Sequence, residues 1–464
     1  MNKKLILFLR MLFFGVLVGC TSNKKETRTY FGGKIINPKT NYVVLGALDK
    51  VIDTFFLNSD HKFIGHINNI NEGLYHFVHG DENQHIYLEP EDSLMLRLNT
   101  WDFDESLVFA GKGAERNNIL IDCFLENEKE RKFFYQFNKV EPTIFKSKVD
   151  SLLLFKTKTY KEYLIKHPEE TAGFNEILKI ALTYPTFSRI EKYPMMYAKY
   201  SENGSFPNIN SSFYDYRSKI HFDKSFLMYY PPFSQYIRNY LYNETYALGH
   251  APMKSEYSSK FTMDLLNTID EKIASVSSKN AFLKQTVIGH FYNKSSCTIN
   301  YKPFDTFFEL STNEKDKKMV RNLVCDTKAV VISKKLPEFQ VTDYTNTQHY
   351  ISEIIENKNA LLFFWSPEFI SENYMASRFK YLENTYPNIK FIEIKIKGDK
   401  NNRIEHLDIK NQFYLHEKSD AHHFLTSKMP RSILIDKKGN VVNGFASISS
   451  YNLNPFLADL DKNH

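Results

Sequence analysis

Apolar positions along this chain change their period from one region to the next, and each period predicts a different kind of element. Over residues 30–113 they come in short runs at 30–36, 42–47, 54–57, 62–67, 73–78, 85–88, 93–98 and 107–110. Most runs stop at turn signals such as Asn37-Pro38, Asn58-Ser59-Asp60 or Glu89-Pro90-Glu91-Asp92, and strands at roughly ten-residue spacing predict an antiparallel sandwich or barrel. From 114 to 330 apolar residues recur three and four apart, as in Leu120, Cys123 and Phe124. That period predicts helices over 114–135, 141–167, 169–185, 234–248 and 258–278, with loops at 206–212 and 229–233. After Leu336-Pro337 the pattern alternates. It gives a strand at 338–342, helix 348–355, strand 360–365, helix 369–385, strand 390–396, helix 403–413, strand 431–435, a turn at 437–440, strand 441–445 and helix 453–460.

The chain therefore reads as multidomain. Residues 30–113 form an all-β, sandwich-like domain, 114–330 a mainly α region and 331–464 an α/β domain. Length agrees, because 464 residues exceed what one ordinary core holds.

The informative stretch is Ala360-Leu361-Leu362-Phe363-Phe364-Trp365-Ser366-Pro367-Glu368. A continuous apolar run closed by Ser-Pro reads as a fully buried strand that turns into a helix, with Ser366 as the helix N-cap. It resembles the thioredoxin-like domain of membrane-anchored TlpA-type thiol–disulfide proteins, where such a strand ends in Phe-Trp-x-x-x-Cys-x-x-Cys. Laid over that pattern, Phe364 and Trp365 match, and the cysteine positions fall on Phe369 and Glu372. A second register would place them on Ser366 and Phe369. Neither recovers a thiol. The segment Met429-Pro430-Arg431-Ser432-Ile433-Leu434-Ile435-Asp436-Lys437-Lys438-Gly439 is similar to the family's proline, strand and Asp-x-x-Gly piece. The resemblance implies a cis proline at Pro430 facing the turn, and a C-terminal thioredoxin-like fold.

The first region resembles the small β-domain of unknown function that precedes thioredoxin-like domains in Bacteroidetes lipoproteins. The matching pieces are Gly33 to Pro38, the Phe63 strand, Tyr87 to Leu94 and Phe109 to Gly113. This resemblance implies architecture and no chemistry.

Residues 1–19 read as a signal peptide, with Lys3, Lys4 and Arg10 beside a short apolar stretch ending Leu17-Val18-Gly19-Cys20. That ending looks like a bacterial lipobox, which implies lipid on Cys20, a tether over 20–29 and anchoring in the cell envelope. Thr21 after the cysteine leans towards the outer membrane, facing the periplasm. Losing the three early cations takes the formal charge from +6 to +3, too little to argue for nucleic acid.

Apolar content of 42% and charge of 25% exclude a disordered chain, and 39 Phe with 29 Tyr predict aromatic-filled cores. Thiol–disulfide exchange needs a thiolate at a helix N-terminus and a second thiol to resolve the mixed disulfide. Phe369 offers no nucleophile, Glu372 only complements the helix dipole, and Ser366 has no base at a motif distance. Cys123, Cys297 and Cys325 lack Cys-x-x-Cys spacing, although Cys297 and Cys325 could pair. His416, His422 and His423 do not complete a metal set. Asp343, Glu368 and Glu372 read as a solvated face, and no Gly-rich phosphate loop or other cofactor motif is present. What remains is a groove formed by Trp365, Ser366 and Pro367 opposite Met429 and Pro430, able to take an extended peptide. The expectation is a non-catalytic binding or scaffold protein with an unidentified protein or peptide partner. Its rivals are an oxidoreductase that uses Cys123, Cys297 or Cys325 beside Pro430, and a binding module whose site lies in the β-domain.

Overall fold

A computed structural model describes residues 27–464 except 49, 221, 223, 253–257, 295–298, 397–402, 405–406, 451 and 463–464. The expected signal peptide, Cys20 and Cys297 lie outside the described residues. The chain divides into two compact units, one of residues up to 129 with 167–178, the other of 130–166 with 179–464.

In the first unit the strands are β1 (Arg28–Ile36), β2 (Tyr42–Ala47), β3 (Lys50–Phe56), β4 (Lys62–Asn68), β5 (Gly73–His79), β6 (Glu82–Leu88), β7 (Ser93–Asn99) and β8 (Val108–Ala110). They form two four-stranded sheets, β4-β1-β7-β8 and β3-β2-β5-β6. Their inward residues build one core, in which Phe31 sits 5.4 Å from Phe63 and 5.7 Å from Phe55. The expected pairing is corrected at one place, where β1 and β7 run parallel. The unit is also not built of strands alone. A helical turn, α1 (Phe103–Ser106), precedes β8, and the start of α2 (Ala114–Phe134) belongs here. Buried Arg116 on α2 holds Glu89 at 2.8 Å, Asp92 at 3.4 Å and Glu170 at 3.3 Å, so its charge is compensated without water.

The second unit begins with helices α3 (Pro142–Lys166), α4 (Ala172–Tyr200, from residue 179), α5 (Pro231–Tyr246), α6 (Ser259–Lys272), α7 (Val276–Lys294), α8 (Lys302–Leu310) and α9 (Glu314–Ala329). The helix expected to stop at residue 185 instead continues through Pro185 and Pro194. An interior proline costs about 3 kcal/mol, and here buried Ile190 and Tyr193 carry the helix on by packing. The Tyr193 ring stacks on Phe145 at 4.0 Å. Buried Glu191 accepts from Arg217, Tyr216 and Asn243, which fixes the 3-10 segment Ser211–Lys219. The helix expected over 258–278 is two, with a break between Lys272 and Val276.

The remaining sheet has seven strands in the order β10-β9-β13-β12-β11-β14-β15. These are β9 (Gln340–Asp343), β10 (Gln348–Tyr350), β11 (Asn359–Trp365), β12 (Ile389–Lys395), β13 (Gln412–Tyr414), β14 (Arg431–Ile435) and β15 (Val441–Ala446). Three short helices accompany them, α10 (Ile351–Ile354), α11 (Glu372–Thr385) and α12 (Leu453–Lys462). The expected helix over 348–355 is thus half strand. The described part of the expected helix 403–413 is a 3-10 turn followed by β13. β11 is an interior strand, parallel to β12 and antiparallel to β14, and every one of its residues is buried. Its side chains alternate between two cores. Leu362 and Phe364 enter one, Leu361, Phe363 and Trp365 the other. Among the described residues no helix is long and apolar enough to cross a membrane.

Candidate functional site

Strand β11 delivers its C-terminal end to a turn, and the turn delivers the chain to α11. Trp365 is buried and its carbonyl accepts from Ile396 N at 2.7 Å. The Ser366 carbonyl then accepts from Phe369 N at 3.0 Å and Ile370 N at 3.2 Å, while its hydroxyl accepts from Glu368 N at 3.4 Å. Ser366 therefore closes the turn and does not cap the helix. That role falls to Ser371, whose hydroxyl accepts from Tyr374 N, so the helix opens at Glu372 and not at residue 369. Pro367, Glu368 and Phe369 are exposed, and Glu372 is half-buried.

The other wall, the loop ahead of β14, is held from outside the sheet. The buried Asp326 carboxylate on α9 accepts four hydrogen bonds from it, from the backbone N–H and hydroxyl of both Thr426 and Ser427, at 2.6–2.9 Å. Asn322 donates to the Thr426 carbonyl at 3.2 Å. Tyr292 on α7 donates its hydroxyl to the Pro430 carbonyl at 2.8 Å, and burial pushes that phenol's pKa up. Phe291 packs edge-on against Phe445 with centroids 4.4 Å apart. Met429 is buried and Pro430 half-buried. No cis peptide bond occurs among the described residues, which corrects the expected cis proline at Pro430. Arg431 is buried too. It donates to the carbonyls of Gly444 and Phe424 at 2.6 Å, with its guanidinium 4.8 Å from the Phe445 centroid.

Among the described residues no disulfide is formed, Cys123 is buried and Cys325 is exposed. Cys325 precedes Asp326 on α9, so a thiol stands one residue from the group that binds the 426–427 loop. Neighbouring helix positions diverge by about 100°, in keeping with one being exposed and the other buried. No group of three or more metal-ligating side chains occurs among the described residues. His423 reaches Asp420 only at 3.9 Å, and the His422 ring contacts the His416 carbonyl at 3.0 Å.

Sequence reasoning missed one group near the turn. Glu393 on β12, opposite Phe363, is buried with no hydrogen-bond partner for either oxygen among the described residues. Burial first, and Glu383 second, raise its pKa well above the carboxylate range, so it is held neutral. Lys395, two residues on, is buried with its ammonium 5.6 Å from the Trp365 centroid. The stretch Lys390-Phe-Ile-Glu-Ile-Lys395 reads as a strand with one wet face. The signal against that reading is its pairing with the apolar, fully buried β11.

No family model matches the chain, and no curated protein matches it. Solved structures similar to part of it include a thiol:disulfide interchange protein from a Bacteroides species, at 17% identity over 29% of this chain and 96% of that one, with a TM-score of 0.23. The thioredoxin domain of a thiol-disulfide oxidoreductase from Bacteroides vulgatus matches at 18% identity over 28% and 99%, with a TM-score of 0.21. A thiol peroxidase from Chromobacterium violaceum matches at 16% identity over 29% and 87%, with a TM-score of 0.23.

Proposed function

We propose that this protein is a non-catalytic binding or scaffold protein of the bacterial envelope, whose C-terminal domain keeps a thioredoxin-like strand, turn and helix without exchange chemistry. The observation that carries this reading is the turn itself, where Ser366, Phe369 and Glu372 occupy every position at which either register would put a thiol. The opposite loop supports it, because Tyr292 and Asp326 already use polar groups that a substrate peptide would need. Lipid on Cys20 and a periplasm-facing position at the outer membrane complete the proposal, with the exposed Pro367-Glu368-Phe369 tip as the surface offered to a partner.

The alternative, thiol–disulfide exchange by a thiol outside the motif, is favoured by one observation, the exposed Cys325 beside Asp326. Disulfide reductase activity of the chain from Thr21 onward separates the two. The expected result is no turnover by the natural sequence, with turnover appearing in Phe369→Cys/Glu372→Cys or Ser366→Cys/Phe369→Cys. Turnover by the natural sequence that disappears in Cys325→Ser would overturn the proposal in favour of the alternative.

A further inference from the structure

Helix α3 buries one face in the helical core through Phe145, Val149 and Tyr163, and Lys156 on that face pairs with Glu130 at 2.6 Å. Its outward face sets large apolar side chains among Ser147, Ser151, Lys158 and Glu162. Ile144, Leu154, Phe155 and Ile165 are 49%, 75%, 54% and 79% exposed. At 100° per residue these four fall within an arc of about 100°. Exposed Lys161 borders the arc on one side and exposed Lys148 and Lys166 on the other, with exposed Lys158 inside it. The one acid inside the arc, Glu162, is answered by Lys158 at 3.8 Å.

We propose that this outward face of α3 docks on an anionic lipid bilayer. Charge complementarity selects the occupant. Aliphatic and aromatic side chains enter the acyl boundary while lysines on both flanks bend back to the phosphates, and the helix lies along the surface without crossing it. An apolar face rimmed by cations on a helix already anchored by its other face is what such a surface needs. A protein core would have to bury Lys148, Lys161 and Lys166 at a desolvation cost that an anionic surface does not impose.

The test is co-sedimentation of the chain from Thr21 onward, which keeps every described residue and leaves any lipid on Cys20 out of play. Vesicles of equimolar phosphatidylglycerol and phosphatidylcholine are compared with pure phosphatidylcholine. The expected result is binding to the anionic vesicles that weakens with salt. Leu154→Ser/Ile165→Ser should lower it at least about tenfold, and Lys161→Glu/Lys166→Glu should abolish the preference for anionic lipid. All four sites are exposed, so both variants should melt with the parent, and their folding is checked in the same preparation. Absence of binding to anionic vesicles, or binding by both variants equal to the parent, would overturn the proposal. Binding to polyglutamate without binding to vesicles would overturn it in favour of an acidic protein partner.

Discussion

The two walls of the candidate site are held in opposite ways. The turn after β11 is closed by its own backbone and by Ser366, and it presents Pro367, Glu368 and Phe369 to solvent. The loop before β14 is held by side chains from two helices far away in sequence, Tyr292 and Asp326. One wall is thus joined to the protein's own helical region, and the other presents its tip to solvent.

The strongest way to break this contrast is Asp326→Ala. The substitution leaves two N–H groups and two hydroxyls of the loop without their acceptor, and part of that loss is made up by water at exposed Thr426. A loss of about 3 kcal/mol is expected, read as a lower urea midpoint with an unchanged slope. A loss under about 0.5 kcal/mol would mean the loop does not depend on the helical region.

A second contrast separates the exposed turn from the buried acid behind it. Glu393 is neutral when folded because burial disfavours its charge, and nearby Glu383, itself pushed up by burial, adds to that. The sign follows from proton counts. Below the ordinary carboxylate pKa of 4.5 both states carry the proton, and the burial costs nothing extra. Above it the unfolded chain ionises while the folded chain stays protonated, so stability falls by about 1.4 kcal/mol per pH unit until the folded group also ionises. Glu393→Gln keeps the shape and removes the titration. Its urea midpoint should match the parent near pH 4 and exceed it increasingly as the pH rises through the range where the unfolded carboxyl ionises and the folded one does not. Parallel profiles would mean that Glu393 is ionised in the fold, contrary to its surroundings.

Legibility in the sequence followed the same division between local and distant causes. The eight strand positions of the first region, the buried run ending at Trp365 and the turn at 436–440 were readable, because each depends on neighbours along the chain. In that turn the Asp436 carboxylate accepts from Lys438 N and Asn440 N, with Gly439 at φ +76°. The continuation of α4 through Pro185 and Pro194 was not readable, since packing by distant residues overrides a local penalty. The cap moved from Ser366 to Ser371 because two serines compete, and the backbone needs Ser366 for the tighter turn. Arg431, Glu393 and Lys395 are charged residues with no local signal for burial, and only the order of strands places them inside. The bonds from Tyr292 and Asp326 carry no motif, and their partners lie 138 and 100 residues away.

The smallest expected effect sharpens the comparison from the other wall. Phe369 is 42% exposed, and its contribution to the turn is its backbone N–H, which a substitution leaves in place. Phe369→Ser should therefore change stability by no more than about 0.5 kcal/mol. Combined with Asp326→Ala it should add, with a coupling within about 0.5 kcal/mol, because the two residues act through separate neighbours. The urea midpoints of the parent, the two single variants and the double variant measure that coupling directly. A coupling of 1 kcal/mol or more, on the scale seen for residues in contact, would mean that the turn leans on the loop. Phe369 would then be a closing contact of the fold and no longer available as the exposed tip for a partner.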